Sequence, residues 1–445
     1  MERTDYHWSR FNFITNNSRG YYLYNSYSNC LLGLDPEMAS LCMALKDNSD
    51  ELDSFIGSLS KEEFDYFVQN SILVISDDDL VENLHLHSMA RLFSRKTLVL
   101  TIAPTQSCNF ACSYCYEHFR KSSPMDDATA ESIIKYVKYA KDNDGLEVLY
   151  LTWYGGEPLL QVDRVCSLSS QLSDMGLKIK ENNIITNGFF LNDASIKKLI
   201  SAGINEIQVT LDGDRDTHNK RRPLLNGNGS YDRIIENLDN FFSKNYDQYM
   251  TLAIRVNIDR NNYSDYYETY QWFRTRYKGH QFIIYPGIIV LDENDSCSHT
   301  CFSRNEVTDI FINLYKKYGI ISEKIYPDSI SIECKARSPY ANMLIGSRGE
   351  IYKCFEDLGI EDRIVGNIND PIKWSNFKEI ARYATGIDHY LSEECRKCPY
   401  IPICNGGCPR RRYENLYENK HNDCCTPFKG RIDDYIDIFL TQKEK

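Results

Sequence analysis

The stretch Cys108-Asn109-Phe110-Ala111-Cys112-Ser113-Tyr114-Cys115 places three thiols on one short loop. The loop follows the apolar run Thr97–Ile102, which predicts a buried strand, and precedes residues 126–141, whose apolar spacing predicts a helix. Three thiolates on one loop can hold three irons of a four-iron cluster and leave the fourth iron open to a small ligand. A structural zinc site would need four protein ligands, and the neighbouring His118 keeps that alternative open.

A second motif, Trp153-Tyr154-Gly155-Gly156-Glu157-Pro158, ends the next predicted strand, 147–153. Glycines let backbone approach a ligand closely. Glu157 supplies a carboxylate that an ammonium group could use. Alone, the motif reads as an ordinary strand-to-helix turn, whereas beside three thiols it indicates a ligand site.

The middle of the chain alternates strand and helix patterns. Further strands are predicted at 183–186, 206–210, 252–256 and 282–285. Repeated β-α units predict an α/β fold with a parallel sheet, either open or barrel-like. Active sites of such folds lie at the C-terminal ends of the strands, which is where both motifs occur.

The flanking segments have different patterns. Residues 1–94 predict a winged-helix-like domain with a hairpin formed by 21–24 and 29–33, about three helices and a strand at 72–75. Pro36 and the capping-box pair of Ser60 with Glu63 predict two helix starts. From about residue 326 the pattern changes to short segments, turns and cysteines. We therefore expect three domains, 1–94, 95–325 and 326–445.

The composition of the chain excludes several classes of protein. With 445 residues and 42% hydrophobic residues the chain can bury large cores, so its 16 cysteines do not indicate a small disulfide scaffold. The N-terminus has no secretory h-region, and no apolar run is long enough to span a membrane. We expect a cytoplasmic protein with reduced thiols. The formal net charge of -12 argues against nonspecific binding of nucleic acid or anionic membrane.

A second group of cysteines occupies the last quarter of the chain. Its spacing is Cys334-x14-Gly349-x4-Cys354, then Cys395-x2-Cys398-x5-Cys404-x3-Cys408, then Cys424 and Cys425. A single CxxC pair could be a zinc knuckle. The full spacing instead indicates a set of cluster ligands. Cys30, Cys42 and Cys166 lie outside both groups and are interpreted as small apolar residues.

The first two motifs resemble those of radical S-adenosylmethionine (SAM) enzymes. The resemblance implies a partial (β/α)6 TIM-like barrel in which Cys108, Cys112 and Cys115 hold a 4Fe-4S cluster whose open iron binds SAM. It also implies roles for SAM-binding residues. These are Tyr114 near the adenine, Gly155, Gly156 and Glu157 at the amino group, Thr210 at the ribose or methionyl part, and Arg222 at the carboxylate.

The cysteine-rich C-terminus resembles the SPASM extension of radical SAM enzymes, which implies two auxiliary 4Fe-4S clusters and three clusters in total. Cluster I would use Cys334, Cys354 and Cys408. Cluster II would use Cys395, Cys398, Cys404 and either Cys424 or Cys425. For a fourth ligand of cluster I, the candidates are Cys297, Cys301 and the spare member of the last pair.

SPASM relatives mostly modify ribosomally made peptides, so the resemblance implies a peptide maturase that installs a thioether or a carbon–carbon crosslink. Its partners would be a precursor peptide with a leader segment and an electron donor such as flavodoxin or ferredoxin. An exposed edge of the Tyr-rich strand 21–27 would suit the leader, with bracing against the barrel as the alternative.

Two other functions stay open. An anaerobic sulfatase-maturating enzyme would form formylglycine, but its relatives carry an Asp directly after the cysteine matching Cys354, where this chain has Phe355. Glu356 or Asp357 would then be the displaced catalytic base. The non-enzyme alternative is a metal-stabilised peptide-binding protein.

Overall fold

The computed structural model describes residues 3–47, 51–115, 117, 123–289, 302–321, 326–327 and 333–443. By packing, the chain divides into two compact units. The first unit comprises Met1–Arg91, Arg304–Cys334 and Ile387–Lys445, and the second comprises Leu92–Ser303 and Lys335–Gly386. The expected division into three domains remains a prediction.

Within the described residues the strands are, in chain order, β1 (His7–Trp8), β2 (Asn12–Asn17), β3 (Gly20–Asn25), β4 (Cys30–Leu34), β5 (Leu73–Val74), β6 (Thr97–Ile102), β7 (Val148–Trp153), β8 (Lys178–Thr186), β9 (Glu206–Leu211), β10 (Thr251–Ile258), β11 (Ile283–Ile288), β12 (Asn342–Ile345), β13 (Glu350–Tyr352) and β14 (Gly366–Asn367).

The α-helices of the same residues are α1 (Pro36–Asp47), α2 (Leu52–Ser58), α3 (Lys61–Gln69), α4 (Asp77–Phe93), α5 (Asp127–Asn143), α6 (Val162–Ser173), α7 (Asp193–Ser201), α8 (Arg215–Arg221), α9 (Tyr231–Ser243), α10 (Tyr266–Arg276), α11 (Arg304–Tyr318), α12 (Phe377–Ala381), α13 (Glu393–Arg396), α14 (Ile401–Cys404), α15 (Pro409–Tyr417) and α16 (Ile432–Lys443). Among them, no helix is both long and apolar enough to cross a membrane.

The second unit is built on one sheet with the strand order β11-β10-β9-β8-β7-β6-β12-β13-β14. The strands from β6 to β11 pair in parallel, each with the next along the chain. They are connected by helices, so the predicted parallel α/β fold with six barrel-type strands is confirmed. β12 adds to β6 in parallel, and β13 and β14 continue the sheet antiparallel. Part of the cysteine-rich segment therefore belongs to this sheet.

The first unit contains the three-stranded antiparallel sheet β2-β3-β4 and the short pair β1-β5. Helix α1 begins at Pro36, and α3 has the predicted capping box between Ser60 and Glu63. A core of buried side chains lies among these elements. Cys42 is part of it, and burial raises the pKa of its thiol to about 12, as expected for a structural cysteine.

The prediction that residues 21–27 offer an exposed hairpin edge is wrong. They include most of β3, which is the central strand because β2 pairs along its other side. β2 contains only the short run Phe13-Ile14-Thr15 between asparagines, which are depleted in strands, and the third strand escaped sequence analysis. Tyr24 packs in the first unit with Ile403, Ile432 and Ile436, which makes it a brace inside that unit.

Candidate active site

The cysteine loop and the Gly-Gly-Glu turn lie against each other at the C-terminal ends of β6 and β7. Gly156 N donates to Thr105 O at 3.2 Å, and Glu157 N donates to Ser107 O at 2.9 Å. A Cβ at Gly155 would lie 2.4 Å from Thr105 O, and one at Gly156 would lie 2.3 Å from Ser107 O. Both positions therefore require glycine, because a side chain would push the loop that leads into Cys108 out of place.

Glu157 is fully buried behind this turn and connects three segments. Its carboxylate accepts hydrogen bonds from Thr186 Oγ1 at 2.7 Å, from Asn187 N at 2.7 Å and from Leu159 N at 2.9 Å. Burial raises the pKa of Glu157, although these hydrogen bonds oppose the rise. The carboxylate thus ties the ends of β7 and β8 together, and its predicted contact with an ammonium group stays a prediction.

Tyr114 is the hub of a buried polar network beneath the cysteine loop. Its hydroxyl donates to Asp212 Oδ1 at 2.7 Å and accepts from Arg222 Nη1 at 2.7 Å and from Asn257 Nδ2 at 3.1 Å. Burial raises the pKa of Tyr114; the charge of Arg222 opposes this rise and the charge of Asp212 adds to it. The network therefore joins the loop to β9, β10 and the end of α8.

Two arginines belong to the same network, and each keeps an N–H group available for a ligand. Arg221 donates from Nε to Asp212 Oδ2 at 2.7 Å and from Nη1 to Asp259 Oδ2 at 2.6 Å. Among the described residues, Arg221 Nη2 and Arg222 Nε are buried without a hydrogen-bond partner. Guanidinium donors held in this way suit a carboxylate, so the site fits the amino-acid part of SAM. Thr210 is buried near the C-terminal end of β9.

The first of the three clustered thiols accepts hydrogen bonds from two neighbouring N–H groups. Cys108 Sγ accepts from Phe110 N at 3.4 Å and from Asn187 Nδ2 at 3.9 Å. Cys108, Cys112 and Cys115 are all partly exposed, as an accessible cluster site requires. Across the described residues, no three His, Cys, Asp or Glu side chains could hold one metal ion together. His118 of the zinc alternative lies outside the described residues.

His218 supports this site from behind. It is buried on α8, where its Nε2 lies 3.0 Å from Ser230 Oγ, and Ser230 Oγ donates to Arg222 O at 2.7 Å. Burial lowers the pKa of His218 well below its ordinary value, and the charges of the two neighbouring arginines lower it further. A neutral imidazole therefore fixes the backbone at Arg222.

The two candidate bases differ in their surroundings. Asp357 is buried and accepts a hydrogen bond from Tyr383 Oη at 2.9 Å, whereas Glu356 is exposed. Phe355 packs edge-to-face on Tyr154, with 5.0 Å between ring centroids. The aromatic that follows Cys354 thus touches the residue just before Gly155.

The later cysteines are distributed over both units. Cys354 follows β13 in the second unit, while the first unit holds Cys334, Cys395, Cys398, Cys404, Cys408, Cys424 and Cys425. Burial, with a smaller contribution from the neighbouring cysteines 425, 395 and 398, raises the pKa of Cys404 to about 11. Cys297 and Cys301, two candidates for a further ligand of cluster I, lie outside the described residues.

Sequence analysis missed Asn257 and Asp259, which complete the network at the end of β10. The signal was available in principle, because polar side chains at the C-terminal ends of parallel strands mark functional sites. Neither residue belongs to a short motif, so only their contacts with Tyr114 and Arg221 single them out.

Comparison with known proteins identifies a family for the middle of the chain. Residues 102–273 match the family model of the Radical SAM superfamily. The chain therefore contains a radical SAM domain and is an enzyme, which excludes the non-enzyme alternative. Such a domain implies SAM and one 4Fe-4S cluster.

Two relatives are sulfatase-maturating enzymes. The chain is 25% identical over 351 residues to the cysteine-type anaerobic sulfatase-maturating enzyme of Clostridium perfringens, covering 71% of this chain and 90% of the relative. It is 23% identical over 324 residues to the serine-type enzyme of Klebsiella aerogenes, covering 68% and 77%.

Two solved structures share the fold. The structure of native anSMEcpe with bound AdoMet matches with a TM-score of 0.57 and 21% identity, covering 78% of this chain and 97% of that chain. Streptococcus suis SuiB matches with a TM-score of 0.51 and 19% identity, covering 94% and 100%.

Proposed function

We propose that this enzyme is a radical SAM peptide maturase that installs a thioether or a carbon–carbon crosslink in a ribosomally made peptide. SAM on a reduced 4Fe-4S cluster supplies a 5'-deoxyadenosyl radical, which abstracts hydrogen from an unactivated C–H bond. The observation that carries the proposal is the buried network around Tyr114, whose unused arginine donors stand beside the three-cysteine loop.

The chain's own residues would bind and orient the cofactor. Arg222 and Arg221 would hold the carboxylate of SAM, while Cys108, Cys112 and Cys115 would hold the cluster. Asp212 keeps both guanidinium groups in place, and its full burial keeps water away from these contacts. This arrangement would orient the cofactor before the peptide arrives.

A peptide partner is supported by the open edge of the first unit's sheet. Within the described residues, no strand pairs with the outer edge of β4, so the edge could accept an added strand. A cavity of about 400 Å³ adjoins it, lined by side chains that include Leu31, Tyr326 and Phe439. We infer that β4, and not β3, receives the leader segment.

The second candidate function is formylglycine formation. It is favoured by the two sulfatase-maturating relatives, and one solved structure of anSMEcpe contains a bound Kp18Cys peptide. Asp357 with Tyr383 would then replace the relatives' base. The replacement of their Asp by Phe355 speaks against this function.

The test is anaerobic reconstitution followed by mass spectrometry of candidate peptides. We expect about 12 irons per chain, reductive cleavage of SAM, and a crosslinked product without an aldehyde. An aldehyde that reacts with a hydrazide would select formylglycine formation instead. Tightly bound zinc without any SAM cleavage would contradict both.

Substitutions on β4 test the peptide site. Exchanging Leu31 for Glu should weaken leader binding while SAM cleavage without peptide continues, because the leader would meet a charge in an apolar cavity. Tyr139→Glu, on an exposed position of α5 in the second unit, is the control. Equal peptide affinity in both variants would refute the role of β4.

A further inference from the structure

The two faces of the parallel sheet in the second unit differ in burial. On β9 and β10, side chains at alternate positions are completely buried, among them Ile207, Val209, Ile254 and Val256. The side chains between them include Gln208 and Arg255, which are half-buried, as is Tyr285 on β11. Successive side chains of a strand point to opposite faces. Because the connecting helices of a barrel-type sheet cover its outer face, the half-buried side chains belong to the inner face.

Arg255 lies on this inner face and is held toward the C-terminal end of the strands. Its side chain crosses Gly287 of β11, since a Cβ at Gly287 would lie 2.3 Å from Arg255 Nε. Arg255 Nε donates to Asn257 Oδ1 at 2.9 Å, and Asn257 Nδ2 donates to the Tyr114 hydroxyl at 3.1 Å. Two hydrogen bonds therefore connect this guanidinium group to the centre of the network beneath the cysteine loop.

The positive charge of Arg255 is not balanced by a carboxylate of the described residues. Within the ranges that the structure describes, Arg255 forms no ion pair, and its two Nη groups donate to no protein acceptor. The carboxylates that follow β9 and β10 are engaged elsewhere, because Arg221 donates to Asp212 at 2.7 Å and to Asp259 at 2.6 Å. A half-buried cation without a counter-charge has lost hydration that a ligand carboxylate would replace.

We propose that Arg255 binds a carboxylate of the peptide substrate on the inner face of the sheet and thereby selects peptides that carry an acidic group near the reacting residue. This inference rests on the proposed function, which supplies the peptide. The carboxylate comes from an Asp or Glu side chain or from a free C-terminus. Either source presents the same planar group, which the two Nη groups of an arginine match.

The role of Arg255 in this proposal is to bind and to orient. A guanidinium group stays protonated, so it does not exchange a proton with the substrate. Its connection through Asn257 to Tyr114 fixes the bound carboxylate relative to the site that is proposed for SAM. A C–H bond close to that carboxylate would then be held where the 5'-deoxyadenosyl radical forms, which favours hydrogen abstraction at that position.

The charge preference is tested with the full-length, reconstituted enzyme in the presence of SAM. The probe is an equimolar pool of short peptides with acetylated and amidated ends, one central Cys and random residues elsewhere. Bound peptides are separated by size exclusion and identified by mass spectrometry. We expect the wild type to enrich Asp and Glu peptides over their Asn and Gln counterparts. In Arg255→Gln this enrichment should fall about tenfold, as for the loss of a charge-assisted hydrogen bond.

Arg233→Gln is the control for the loss of one positive charge, because Arg233 pairs with Glu236 at an exposed position of α9 in the same unit. It should retain the acidic enrichment. Equal acidic enrichment by the wild type and by Arg255→Gln would overturn the inference.

A charge reversal keeps the test independent of folding losses. Arg255→Glu should enrich peptides that carry Lys or Arg, a gain that a misfolded chain cannot produce. Recovery of the same peptides by Arg255→Glu and by the wild type would overturn the inference.

The two sources of the carboxylate are separated by a second pool without Asp or Glu, in which half of the peptides have a free C-terminus. Enrichment of the free C-termini that depends on Arg255 would assign the site to a terminal carboxylate. Enrichment that depends on Arg255 only in the first pool would assign it to an acidic side chain.

The alternative occupant of Arg255 is the carboxylate of SAM itself. Equilibrium binding of SAM distinguishes the two. Arg255→Gln should leave SAM affinity nearly unchanged, whereas Arg222→Gln should weaken it. An equal loss of SAM affinity in both variants would place Arg255 in the cofactor site and overturn the inference.

Failure of the proposed function would look different. A wild-type chain that cleaves SAM but retains no peptide of either pool would contradict the peptide maturase and this inference together. A wild-type chain that retains peptides without any preference for acidic groups would overturn this inference alone.

Discussion

The Tyr114 hydroxyl donates to Asp212 Oδ1 over 2.7 Å and accepts from Arg222 Nη1 over the same distance. This single oxygen therefore links the loop that carries the three thiols to Asp212, which follows β9, and to Arg222, which follows α8. Asp212 and Arg222 are buried, and Tyr114 is half-buried. The position of the cysteine loop and the position of Arg222 are therefore coupled.

Exchanging Tyr114 for Phe tests this coupling. The change leaves Asp212, Arg222 and Asn257 each without one buried hydrogen bond, so we expect the free energy of unfolding to fall by about 1–3 kcal/mol. SAM affinity should fall as well. Denaturant unfolding and equilibrium binding of SAM measure the two effects. Tyr139→Phe on an exposed position of α5 is the control, and equal SAM affinity in both variants would contradict the coupling.

Gly156→Ala tests the close approach of turn and loop. The new Cβ would lie 2.3 Å from Ser107 O, a backbone atom that cannot move without displacing the loop before Cys108. We expect loss of the iron bound by Cys108, Cys112 and Cys115, measured as iron content and SAM cleavage. Gly57→Ala in α2 meets no atom within 4 Å and should stabilise its helix by about 0.5–1 kcal/mol. Full iron content in Gly156→Ala would argue against the steric account.

His218 predicts a pH dependence of stability. The folded state holds the imidazole neutral because its pKa lies well below the ordinary 6.5, while the unfolded chain takes up a proton below that pH. The unfolded state then binds more protons, so stability rises with pH and is lost as the pH falls from 6.5 toward the folded pKa. The slope contributed by this group is at most about 1.4 kcal/mol per pH unit.

Denaturant unfolding between pH 7 and pH 5 measures this slope. His218→Gln should flatten it, whereas His87→Gln on an exposed position of α4 should leave it unchanged. An equal slope in the wild type and in His218→Gln would show that another group carries the pH dependence.

Asp357→Asn separates the two candidate bases. If Asp357 accepts a proton from the substrate, its loss should reduce product formation by about 100-fold or more while 5'-deoxyadenosine is still formed. Glu356→Gln is the matched control, because Glu356 is exposed one residue away. Comparable product formation by the two variants would remove Asp357 from the catalytic step.

Local sequence patterns located most elements of the second unit correctly. The strand Thr97–Ile102 has the predicted bounds, and the helix predicted at 126–141 is α5 with Asp126 as its cap. Such features depend on apolar periodicity and capping, which neighbouring residues specify. β2 was missed because its three strand formers, Phe13 to Thr15, stand among asparagines, and its pairing with β3 extends the strand over those polar residues.

The sequence by itself determined the chemistry available to this protein, because the spacing of its cysteines and the Gly-Gly-Glu turn are local features of short segments. Only the tertiary structure decided which other side chains lie next to these motifs. It brought Asn257 to Tyr114 across 143 positions of the chain, made β3 central and β4 an edge, and placed Lys429 beside Cys425. These relationships arise from strand order and burial, which are properties of the packed chain and not of any short segment.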